Sequence, residues 1–126
     1  MDKYIVVNFS HPMTPQAQAA LQAMLHRIIQ GGEGEALPLE VIDVKFHADD
    51  LSRIGDEVRA AVKAAEAKAG AVARWAAYVP PGLGVAAAAM ERHFAMDHEL
   101  QPWIVVMAQD TTKVVGPARF MPVALV

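Results

Sequence analysis

The chain has 126 residues, 54% of them hydrophobic and 20% charged, with a formal net charge of −3 and no cysteine. That length fits one domain spanning 1–126, with apolar content ample for a packed core. The mildly acidic balance excludes a long, non-specific nucleic-acid surface, and the lack of thiols excludes disulfides, cysteine-based zinc sites and cysteine nucleophiles.

Lys3 to Phe9 is a short, β-branched apolar run without alternation, which predicts a strand covered on both faces. Thr14-Pro15 then opens a helix, Thr as the N-cap and Pro at the first position, where its missing N–H would be unpaired anyway. Ala17, Ala20, Leu21, Met24, Leu25 and Ile28 keep helical spacing until Gly31-Gly32 ends the helix. Leu37 to Phe46 is the second predicted strand. Asp49-Asp50 caps a second helix whose apolar face is Leu51, Ile54, Val58, Ala61, Val62 and Ala65, stopped by Gly70.

Ala71 to Val79 predicts a third strand, broken by Pro80-Pro81-Gly82. A third helix over about Val85 to Met96 comes next, then a fourth strand from Pro102 to Met107. Gln109 to Lys113 is polar and is expected to be a loop. Phe120 to Val126 is expected to be a last strand, with Pro122 marking an edge or a bulge. Alternation of this kind predicts an α/β fold: a single Rossmann-like domain with a mostly parallel central sheet of about five strands flanked by helices. The opening apolar run is too short for a signal-peptide core, and no stretch approaches the roughly 20 apolar residues of a membrane span. The expectation is therefore a cytoplasmic protein with no membrane partner.

In open parallel sheets ligands sit beyond the carboxyl ends of the strands. That rule selects the loops Asn8 to Thr14, Pro80 to Gly84 and Ala108 to Lys113. The first offers an amide (Asn8), a ring (Phe9), a hydroxyl (Ser10) and an imidazole (His11), groups that can read a base and a ribose. His11 is the one acid/base group there, able to help a 2′-hydroxyl attack its own phosphate. Pro81, Gly82, Leu83 and Gly84 would form a second wall, with glycines allowing close backbone approach. Asp110, Thr111 and Thr112 would supply polar contacts from the third loop. His93, Asp97 and His98 invite a metal reading, but no third ligand is evident, so neither metal nor cofactor is expected.

The run Tyr4-Ile5-Val6-Val7-Asn8-Phe9-Ser10-His11-Pro12-Met13-Thr14 resembles the opening of a family of small CRISPR-associated proteins, the Csx family numbered fifteen. Met13 stands where a leucine is usual, a change that conserves volume. The resemblance implies a type III CRISPR accessory that binds cyclic oligoadenylate, cyclic tetra-adenylate foremost, on a Rossmann-like (CARF-like) homodimer. It would lower the free messenger by sequestration, by slow metal-independent ring cleavage, or by both. The implied contacts are Asn8, Phe9, Ser10 and His11. Two readings from other classes stand beside it: a small α/β enzyme on a nucleotide-like metabolite, and a non-catalytic protein-interaction domain.

Overall fold

The computed structural model describes residues 1–98, 101–108 and 111–115. In chain order the elements are β1 (Tyr4–Asn8), α1 (Pro15–Gln30), β2 (Leu39–Asp43), α2 (Ile54–Ala69), β3 (Ala77–Val79), α3 (Gly84–Asp97), β4 (Trp103–Ala108) and β5 (Thr111–Val115). The sheet order is β2-β1-β3-β4-β5. β1 to β4 run parallel, and β5 pairs antiparallel to β4 at the edge. The fold is thus mixed α/β, a parallel four-strand sheet flanked by three helices, with β5 as an antiparallel addition.

Local chemistry sets the helix ends. The Thr14 hydroxyl accepts the Ala17 N–H at 3.1 Å, with Pro15 beside it, and Gly31 closes α1 at φ 65°. Asp50 is a cap, but the element it caps is a single 3-10 turn, Leu51–Arg53, which leads into α2. β3 is shorter than expected, because Val72–Arg74 also winds into a 3-10 turn. The indole N–H of Trp75 fastens that turn to the Gly70 carbonyl at 2.9 Å.

β1 divides the core by its pleat. Tyr4 and Val6 point to one face and join Leu21 and Leu25 of α1, with Ala77, Val79 and Val105. Ile5 and Val7 point to the other and join Val58, Val62 and Ala65 of α2, with Met90 and Phe94 of α3. All five β1 residues are buried, which is why the strand shows no alternation. An aromatic cluster anchors the second face: Trp75 meets Phe94 edge-on at 5.9 Å, and Tyr78 lies 4.5 Å from the same ring. β2 is a half-exposed edge, where Glu40 pairs with Lys3.

Two sequence expectations change. Thr111 to Lys113, read as part of a polar loop after β4, are strand, with Thr111 opposite Ala108 and Thr112 opposite Met107. Polarity misled there, because a strand at the edge of a sheet tolerates polar residues such as Thr and Lys. β2 ends at Asp43 rather than Phe46, so residues 44–50 form a carboxyl-end loop. The strand expected at Phe120 to Val126 lies outside the described residues.

Candidate functional site

The chain leaves β1 for β2 on one side, then crosses back to place β3 on the other. Beyond the carboxyl ends of β1 and β3 the connecting loops part in opposite directions and leave a crevice. A cleft of about 640 Å³ opens there, a size ordinary for a small-molecule site. Its walls are Phe9, Ser10 and His11 from the β1 loop, Pro81, Gly82 and Leu83 from the β3 loop, and Lys45, Phe46, His47 and Ala48 from the β2 loop. A second hollow of about 630 Å³ shares Ser10, His11 and Lys45 and adds Pro12, Asp43 and Lys68.

Asn8 does not meet that cleft with its amide. It is fully buried, the one buried polar side chain among the described residues. Its Nδ2 donates to the His11 carbonyl and to Asp43 Oδ1, both at 2.9 Å, and its Oδ1 accepts the Ser10 N–H at 2.9 Å. Both amide N–H groups are thus used and the oxygen is bonded and buried, so the side chain is not presented to a base edge. Its expected role as a ligand contact is therefore corrected: Asn8 builds the turn that carries Ser10 and His11, as an Asx turn does. Phe9 is corrected likewise. It is 4% exposed and packs toward Trp75 at 6.4 Å, so its face is not available for stacking. The sequence carried both possibilities, since polar-then-aromatic at a strand end fits a turn as well as a site.

Ser10 is half-buried and His11 is exposed, so these two are presented at the cleft. Gly82 and Leu83 are exposed beside them, whereas Pro81 is buried. The glycines are not used for unusual backbone, because neither Gly82 nor Gly84 has positive φ. A Cβ at either would meet open space. Gly84 opens α3. No side chain caps that helix and no acidic residue sits in its first turn, so the first-turn N–H groups have no side-chain acceptor; Leu83, the N-cap residue, lines the cleft. Thr111 and Thr112 belong to β5, and Asp110 lies outside the described residues.

The residues missed by sequence reasoning are Lys45, Phe46, His47 and Ala48. Assigning them partly to β2 hid them, although the Lys-Phe-His step after an apolar run was the available signal. With His11 they make the cleft wall basic: Lys45, His47 and His11 stand on it, and no carboxylate does.

A separate group lies at the far end of α3. His93 Nδ1 is 2.9 Å from Asp97 Oδ2, and His93 Nε2 is 3.3 Å from His98 Nε2. Burial holds the His93 imidazole below the ordinary histidine range, against the opposing pull of the Asp97 carboxylate.

The fold and this cleft define an α/β chain with a basic crevice at the turn of its strand order. Comparison with protein-family models, with curated proteins and with solved structures gave no match. No helix among the described residues is long and apolar enough to cross a membrane.

Proposed function

We propose that this chain is a Rossmann-like domain that binds cyclic oligoadenylate, with cyclic tetra-adenylate as the ligand, at a homodimer. By lowering the free messenger it would attenuate type III CRISPR antiviral signalling. The observation that carries this reading is the cleft. It joins three carboxyl-end loops, bears Lys45, His11 and His47 without a carboxylate, and receives the uncapped start of α3. Such a surface favours phosphate through charge and through free backbone N–H groups. The likeness of the first loop to the Csx family numbered fifteen supports a nucleotide messenger as the phosphate's carrier. With Asn8 and Phe9 withdrawn to the interior, recognition falls to Ser10, His11 and the 45–48 and 82–83 segments.

Ring cleavage gains support from His47, since a lone imidazole at His11 offered no partner. In a cleavage step one imidazole takes the proton of a 2′-hydroxyl, whose oxygen bonds to its own phosphorus. The P–O5′ bond breaks, and the second imidazole returns a proton to the leaving 5′-oxygen. This chemistry needs no metal. Incubation with labelled cyclic tetra-adenylate, with products resolved over time, tests both halves. Linear products over many turnovers, abolished in His11→Ala and His47→Ala, establish cleavage. A retained, intact ring establishes sequestration. No thermal stabilisation by the ring, when AMP and ATP also give none, removes the proposal; a bound ring at 100 times its dissociation constant should add about 2.7 kcal/mol.

A further inference from the structure

We infer that the hollow beside the cleft is a ribose subsite, in which Asp43 accepts a 2′-hydroxyl and makes the chain selective for ribonucleotides over deoxyribonucleotides. The inference rests on the nucleotide function proposed above and names what the second hollow adds to it. Asp43 is the last residue of β2 and stands opposite Asn8 in the parallel register, at the carboxyl end of the sheet. Backbone and side chain are both tied to Asn8. The Val44 N–H donates to the Asn8 carbonyl at 2.9 Å, and Asp43 Oδ1 accepts from Asn8 Nδ2 at 2.9 Å. Asn8 is fully buried, so an exposed carboxylate is held in place by an immobile partner.

The lining of the hollow selects the ligand. A carboxylate accepts hydrogen bonds and has capacity left after one is taken. Among the described residues the Asp43 carboxylate forms no second hydrogen bond and no ion pair. Pro12, Val44 and Ala64 supply an apolar wall, and Lys45 and Lys68 stand on the same lining. A metal cation alone would meet the lysines, and a bare phosphate would meet the carboxylate. A ribose carrying its phosphate answers both, with a hydroxyl for Asp43, charge for the lysines and a C–H face for the apolar wall. The volume of about 630 Å³ admits a nucleoside. The 2′-hydroxyl is the group by which a protein tells RNA from DNA at such a site. Ser10, His11 and Lys45 line both hollows, so a phosphate on that shared ridge has a nucleoside on each side. Each chain then holds two successive nucleotides, and two chains related by a dyad hold the four of a cyclic tetranucleotide.

The test is a calorimetric titration of the full chain with cyclic tetra-adenylate, its all-2′-deoxy counterpart, and linear pApA in ribo and deoxy forms. The wild type should bind the deoxy ring at least about tenfold more weakly than the ribo ring, the effect of losing a hydrogen bond to a charged acceptor. That ratio is read without any variant. Asp43→Asn keeps an oxygen for Asn8 and turns amide N–H groups toward the hollow, so it should cut the ribo preference at least about fivefold. Asp49→Asn, exposed and off both hollows, should keep the preference whole. Equal binding of the two rings, or a full preference retained in Asp43→Asn, overturns the subsite and leaves the proposed function standing. Binding of pApA without the ring overturns the ring reading, and the same ratio measured on pApA then decides the subsite by the same criteria. Binding of none of the probes overturns both.

Discussion

Asn8 and His11 sit three positions apart and do opposite jobs. Asn8 is buried with its hydrogen bonds turned to Ser10, His11 and Asp43, whereas His11 stands in solvent at the cleft. Asn8→Ala leaves buried partners unmet and should destabilise by about 1–3 kcal/mol. His11→Ala should stay within about 0.5 kcal/mol of the wild type, as exposed substitutions do, yet weaken ligand binding. Urea denaturation of the two variants checks the contrast; equal stabilities would mean the Asn8 bonds are not made in solution. Asp50 offers a second test, through pH. The Ser52 hydroxyl and the Ser52 N–H both bond its carboxylate and hold its pKa below the usual carboxylate value. A depressed folded value makes a contribution that is fully present above the unfolded pKa of about 3.9 and is lost as pH falls through the folded one. An NMR titration should therefore give Asp50 a midpoint on the acid side of the reference, and Ser52→Ala should move it upward.

Helices and strands were legible in proportion to how locally they are determined. α1 was readable because its cap, its proline and its closing glycine act within one turn of chain. Gly31 stands at φ 65° with nothing within 4 Å of an added Cβ, so Gly31→Ala should cost about 1–2 kcal/mol from backbone conformation alone. Gly82, with ordinary φ and equal space, should accept Ala without loss of stability. Thermal melts of the two variants separate these cases, and equal losses would contradict the assigned backbone. Sheet order and strand ends were not legible, because they depend on distant partners. β2 stops where Asp43 meets Asn8 across the sheet, a pairing between positions 35 residues apart. No local pattern announced it, so Lys45 to Ala48 stayed hidden from the reading of the site. The antiparallel β4–β5 pairing escaped for the same reason, β5 being polar enough to pass for a loop. Asn8 and Phe9 were placed correctly at a strand end, but burial decided their role, and burial is a property of the packed whole.

A ring of four nucleotides is large for one such chain, and its two-fold symmetry matches a pair of identical clefts related by a dyad. Leu83, on the cleft, and Val85, in the first turn of α3, stand 48% and 46% exposed where that helix begins. Apolar side chains so placed gain from being covered by a second copy meeting the same ligand. The expected stoichiometry is therefore one ring per two chains, with a calorimetric titration breaking at about half a ring per chain and native mass spectrometry showing the ternary mass. The overall charge of −3 opposes both a second chain and an anionic ring, so attraction must come from the local basic wall rather than from the molecule's mean field. Affinity should then fall as salt screens those contacts, and Lys45→Ala should flatten the salt dependence by removing one of them. A breakpoint at one ring per chain would place the whole ligand in a single cleft and leave no part for the dyad.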